Sequence, residues 1–209
     1  MIMIIDSGLG NTRSVANAFL SLGYLSVQVS ARAADLKEAS HIILPGVGAF
    51  GEGMSLLAKR NLIDPLREEV LGRKKPFLGI CLGMQLLASQ GSEMGMYRGL
   101  DWIEGSVDRL PVDTAQYRLP HVGWNDVRAK ASSRLLDGNP SVLQFYFVHS
   151  YHFIPRDPAV IAGTCDYGIN FAAAVERENI CGVQFHPEKS QRDGLQLLSH
   201  FVKNFHGPC

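Results

Sequence analysis

No CxxC pair occurs in the sequence. Its four cysteines, Cys81, Cys165, Cys181 and Cys209, are scattered through 209 residues without zinc-type spacing, so neither a disulfide framework nor a metal site is indicated. An excess of either charge is also missing, since 20 Lys+Arg stand against 20 Asp+Glu. A nucleic-acid partner needs a basic surplus, so none is expected. Long apolar runs are absent too. The opening MIMIIDSG has no basic flank and is cut by Asp6, which leaves it too short for a signal sequence or a membrane span; a cytoplasmic protein is expected. There is no GxxxxGK[ST], hence no P-loop, and DSGLGNTRS places Arg13 where a dinucleotide fingerprint needs its third glycine. His149, His152 and His186 form no HExxH-like pair, and no cofactor is implied.

What remains is the composition of a globular chain, 46% hydrophobic and 19% charged. The first half alternates short apolar runs with amphipathic stretches, the pattern of repeated βα units and a parallel sheet. Strands are expected at Ile2–Ile5, Leu25–Val29, His41–Leu44 and Lys75–Ile80, the last running into Cys81. A helix is expected from Asn11 to Leu22, ended by Gly23, and another after Cys81 with Met84, Leu86, Leu87 and Ala88 on its apolar side. Arg73 to Lys75 reads as a solvated turn. The second half reads as short strands between turns: Trp102–Arg109, Val122–Val127, Phe145–Phe153, Ile161–Asp166, Phe171–Val175 and Cys181–Gln184, then a helix from about Asp193 to Phe205. The expected fold is one α/β domain over residues 1–209. Its central, mostly parallel sheet is flanked by helices, with antiparallel strand additions in the C-terminal half.

Gly79 to Gln85, GICLGMQ, falls at a strand end and a helix start. A nucleophile on so tight a turn projects above the sheet, and the small residues two positions to either side, Gly79 and Gly83, relieve the crowding. The helix N-terminus would favour a Cys81 thiolate. A plain core cysteine is the alternative, and Cys165 and Cys181 are assigned to that role. A thiol nucleophile needs a base, and VQFHPEKS offers His186 past an apolar strand, with Glu188 able to turn back across Pro187 onto the imidazole. An exposed strand-end histidine before a capped helix is the alternative there. PGVGAF, Pro45 to Phe50, follows the third strand. A free N–H at Val47 or Gly48 could join that of Leu82 to hold an oxyanion, or the segment is an ordinary glycine-rich turn. All three elements sit at strand ends expected to converge on one edge of the sheet, where such folds bind ligands.

GICLGMQ, with PGVGAF upstream and QFHPEKS downstream, resembles the class I (triad) glutamine amidotransferase family, whose fold is flavodoxin-like. DSGLGNTRSV, PHVGWNDV at 120 to 127 and FYFVHSYHF at 145 to 153 narrow the resemblance to members that serve a (β/α)8-barrel cyclase in a heterodimer. Ser7 is a departure, standing where the family commonly carries tyrosine, in a part of the fold that faces the partner. The resemblance implies that Cys81 attacks the side-chain amide of glutamine, His186 shuttles the proton and Glu188 orients His186. It implies that Gln85 and the backbone at Ser150 and Tyr151 hold the glutamine, with Glu93 pairing its ammonium group. It places Asn11, Trp124, Tyr146 and Lys189 at or near the docking face, and it implies a glutaminase silent until the partner is loaded. Other readings stay open: the same chemistry serving another synthase, a catalytically silent binding subunit, and a cysteine peptidase.

Overall fold

Alternation along the first strand decides the layering. Ile2–Ile5 forms β1 with every residue buried, Ile2 and Ile4 entering one hydrophobic cluster and Met3 and Ile5 the other. A strand apolar on both faces is stable only when both are covered. The structure is a computed structural model describing residues 1–136 and 142–207. Cys209 lies outside the described residues, and Cys81, Cys165 and Cys181 are buried free thiols.

Asn11 caps α1 (Thr12–Ser21), its side chain accepting from the Ser14 N–H at 3.0 Å. Then come β2 (Val27–Ser30), β3 (His41–Gly46), α2 (Phe50–Lys59), α3 (Ile63–Arg67) and β4 (Phe77–Cys81). The remainder is α4 (Leu82–Gln85), β5 (Gln90–Gly91), β6 (Tyr97–Arg98), β7 (Gly105–Arg109), β8 (His121–Ala129), β9 (Leu143–His149), β10 (Tyr151–Pro155), β11 (Ile161–Asp166), β12 (Asn170–Arg177), β13 (Ile180–Val183) and α5 (Gln191–Asn204).

The large sheet has nine strands in the order β2-β1-β3-β4-β13-β12-β11-β8-β9. From β2 to β13 the neighbours are parallel; from β13 to β9 they are antiparallel, so the sheet is mixed and the C-terminal strands extend it. Phe19 of α1 and Leu198 and Phe201 of α5 pack on one face; Phe50 and Leu57 of α2 pack on the other.

Several elements differ from expectation. Phe145 to Phe153 is two strands, not one: the chain leaves the large sheet after β9, and β10 joins a separate four-stranded sheet, β10-β7-β5-β6. The switch at Ser150 lets Phe145 and Phe147 fill one cluster and Phe153 the other. The helix after Cys81 is a single turn. Its continuation is stopped because the carbonyls of Leu86, Leu87 and Ala88 accept from the N–H groups of Leu100, Trp102 and Asp101 instead. Trp102 and Ile103 lie before β7, in a buried bend that uses the same bonds. Lys75 is no solvated turn residue: its Nζ lies 2.7 Å from the buried Glu69 carboxylate and donates to the carbonyls of Leu36 and Lys37.

Candidate active site

Cys81 ends β4 with φ +54° and ψ −108°, a conformation that costs a non-glycine residue free energy and persists only where its surroundings over-determine it. They do so here through two close approaches. A Cβ on Gly79 would stand 2.4 Å from the Gly83 carbonyl oxygen, and one on Gly83 would stand 1.8 Å from that of Leu44. The strand, the turn and β3 are therefore held in contact only by glycine. Because α4 has four residues, the N-terminal dipole expected to favour the thiolate reduces to the N–H groups of a single turn.

The sulfur opens onto a cavity of about 410 Å³. Val47, Gly48 and Leu82, the candidate oxyanion donors, line it, as do Gln85, Glu93, Ser150 and Tyr151, which the resemblance gives to glutamine. Val47 and Gly48 form the turn after β3, with Gly48 at φ +106°. Glu93 has a second duty: its Oε2 accepts from the Phe50 N–H at 2.9 Å and so caps α2.

His186 arrives from the next strand over. Its N–H donates to the Tyr146 carbonyl at 2.9 Å, and the Ser190 hydroxyl donates to the His186 carbonyl at 2.6 Å while accepting from the Tyr146 N–H at 3.0 Å. The ring and Glu188 are both almost wholly buried, with Nδ1–H donating to Glu188 Oε1 at 2.9 Å. A carboxylate accepts only, so Nδ1 carries the proton and Nε2 is left for other work. Nε2 is buried without a hydrogen-bond partner of good geometry. Burial works to lower the pKa of this ring, but the nearby Cys81 sulfur and the Glu188 carboxylate outweigh it and raise the value to about 9.

The site also contains residues that sequence reading missed. Gln184, wholly buried, lies with Nε2 3.7 Å from Cys81 Sγ and accepts at Oε1 from Gln85 Nε2 at 3.0 Å. Gln85 Nε2 also donates to the Tyr151 carbonyl at 3.0 Å. His149, noticed in the sequence only for failing a metal spacing, lines the cavity and donates from Nδ1 to that same carbonyl at 2.8 Å. Its Nε2 accepts from His121 Nδ1 at 3.1 Å. Burial lowers His149 to about 3 and His121 to about 4, so both rings are neutral at pH 7. Nothing in the strand pattern of FYFVHSYHF distinguished this histidine from a core one.

The residues assigned to docking fall into two groups. Trp124 is exposed, its ring 6.2 Å from that of Tyr146 across the β8–β9 pair, and Lys189 Nζ stands 5.8 Å over the Tyr146 ring. These three form one patch. Asn11 is exposed apart from its capping bond. Ser7 is buried, its hydroxyl donating to the Leu9 carbonyl. Among the described residues no helix is long and apolar enough to cross a membrane.

A model of the class-I glutamine amidotransferases matches residues 3–205. The chain belongs to this family. It is 48% identical to imidazole glycerol phosphate synthase subunit HisH of Moorella thermoacetica, covering 96% of this chain and 93% of that one. It is 43% identical to the subunit of the same name from Aquifex aeolicus, covering 96% and 95%. Among solved structures, a glutamine amidotransferase superposes with TM-score 0.74 at 18% identity, covering 97% of this chain and 100% of the other. PurLQS from Thermotoga maritima gives TM-score 0.74 at 15% identity with 97% of both chains covered, and at this identity the likeness is one of fold.

Proposed function

We propose that the chain, acting as one domain, is the glutaminase subunit of an imidazole glycerol phosphate synthase. The observation that carries this is the meeting of a strained cysteine, a buried histidine held by a carboxylate, and a cavity walled by the PGVG turn and Ser150–Tyr151. Near-full-length identity to HisH subunits selects this synthase among the users of such chemistry.

In this reading the Cys81 sulfur attacks the side-chain carbonyl carbon of glutamine. The N–H groups of Leu82 and of Val47 or Gly48 hold the oxyanion that forms. His186, protonated at both nitrogens beside the thiolate, gives the Nε2 proton to the departing ammonia as the C–N bond breaks and the thioester remains. The neutral ring then takes a proton from water, which attacks the thioester and releases glutamate. Gln85 and the Ser150–Tyr151 backbone position the substrate, and the free oxygen of Glu93 attracts its ammonium group. The ammonia passes to the (β/α)8-barrel cyclase subunit HisF, docked over Trp124, Tyr146 and Lys189 with Asn11 nearby. There it is joined to PRFAR, giving imidazole glycerol phosphate and AICAR. Turning the peptide at the PGVG turn would aim the Val47 N–H at the oxyanion. One such donor is worth about 10²–10³ in rate, which is scope enough for control by the partner.

The test is glutamine turnover by wild type and Cys81→Ala, each with and without purified cyclase and PRFAR. Activity is expected only for wild type in the full mixture. Equal activity without the cyclase would refute the partner assignment, and co-purification with a different barrel synthase would redirect it.

The titration of His186 gives a pH prediction. Acylation needs the ring protonated, so kcat/KM for glutamine in the complex is expected to fall as pH rises through about 9. Because the folded pKa lies above the ordinary imidazole value of 6.5, the stability this ring contributes is complete below about 6.5 and is lost as pH rises through about 9. Glu188→Gln removes one of the influences that raise the value. It should move the falling limb to lower pH and slow turnover about 10²–10⁴-fold. A limb unmoved in Glu188→Gln would show that the carboxylate does not act on the ring.

A further inference from the structure

We propose that Gln184 holds the Cys81 sulfur, its side-chain N–H donating to the thiolate, with the amide locked in that orientation by Gln85. This rests on the reading of Cys81 as nucleophile and adds to it a residue that touches the reacting atom.

The orientation follows from one carbonyl. Tyr151 O can only accept, so the Gln85 atom 3.0 Å from it is the amide nitrogen. That nitrogen also lies 3.0 Å from the Gln184 side chain and has only hydrogens to offer, so Gln184 must meet it with oxygen. Its own nitrogen is thereby turned to the sulfur, 3.7 Å away. Flipping Gln184 would set nitrogen against nitrogen and oxygen against sulfur.

Burial makes the arrangement consequential. Gln184 is 0% exposed, so no water competes for its N–H, and a donor buried without an acceptor is costly. A thiolate is a better acceptor than a thiol, so the bond favours the ionised form. The backbone pins the residue as well, Gln184 N–H donating to the Ala173 carbonyl at 2.9 Å. Standing two residues before His186, Gln184 lies on the same segment, so one stretch of chain supplies both the imidazole and the sulfur's donor.

The test alkylates the full-length chain with iodoacetamide at pH 7 and pH 10 and reads the label at the Cys81 peptide by mass spectrometry. Gln184→Met keeps the volume and loses both polar atoms. Gln184→Glu keeps an oxygen for Gln85 but sets a second oxygen against the sulfur, so a role confined to bracing Gln85 would survive it. At pH 7, labelling is expected to slow about tenfold in Gln184→Met and about 100-fold in Gln184→Glu, the range expected when a hydrogen bond to a charged group is lost. At pH 10, where thiols are largely ionised in any case, Gln184→Met should come within about twofold of wild type. Labelling of Gln184→Glu at pH 7 within twofold of wild type overturns the proposal. So does a Gln184→Met deficit equal at both pH values, which would reflect access and not ionisation. A measurement on the unmutated side chain guards against misfolding. In protein carrying 15N-glutamine, the Gln184 amide resonance should move with pH in parallel with the labelling rate and stay still in Cys81→Ser; no movement in wild type overturns the proposal. Neither readout uses glutamine turnover, so a chain unable to hydrolyse glutamine would refute the functional reading and leave this inference standing.

Discussion

Cys81→Ser, assayed in the cyclase complex with PRFAR, is expected to lose glutamine hydrolysis by about 10⁴-fold or more. Serine matches cysteine in shape, so it should keep the φ +54° turn and the cavity. What it changes is the nucleophile. A hydroxyl ionises far less readily than a thiol, and the bond from Gln184 Nε2 at 3.7 Å and the neighbouring ring, raised to about 9, face the atom at this position. Substrate binding should survive, since the Ser150–Tyr151 wall, braced by Gln85 and His149, does not involve the sulfur. The KM for glutamine, or its Kd if turnover is too slow, should therefore stay within about threefold. Residual activity above about 1% of wild type would mean that the sulfur is not the attacking atom.

Gly83→Ala should be the most damaging change to the fold that adds a single carbon. The new Cβ would lie 1.8 Å from the Leu44 carbonyl oxygen, a backbone atom of β3 that cannot swing aside as a side chain could. Overpacking of backbone on backbone belongs with the largest single-substitution losses, about 4 kcal/mol. For a chain of this length that is a fall of roughly 10 °C in Tm by calorimetry or thermal-shift assay. Gly23→Ala is the matched control: its φ is +86° but nothing lies within 4 Å, so only the backbone strain remains, about 1 kcal/mol. If the two variants melted together, the close approach of β3 and the Cys81 turn would not be what stabilises the site.

The parts of this molecule legible in the sequence are those whose signals are local. Ile2–Ile5 is apolar throughout and is a buried strand; Asn11 before an amphipathic run is a helix cap; Gly79 and Gly83 about Cys81 describe a turn that only glycine permits. What stayed hidden depends on partners distant in the chain. α2 escaped because Gly51 and Gly53 interrupt its apolar spacing, although Phe50 and Leu57 are buried in it. The sheet change at Ser150 leaves no mark in an uninterrupted apolar run. Gln184 reads as one polar residue at a strand end, and its value comes from Gln85 and Cys81, about a hundred residues away.

Strand β9 borders the large sheet, and three of its outward backbone groups already have partners. The Gln144 N–H donates to Asp193 at 2.8 Å, the Tyr146 N–H to Ser190, and the Tyr146 carbonyl receives His186, while Val148 on the same border faces the cavity. The segment that delivers the imidazole thus doubles as a plug on a rim that would otherwise recruit a foreign strand. The same contacts that seat the imidazole cover the Tyr146 edge groups, so displacing the histidine loop would dismantle the triad and bare part of that rim together.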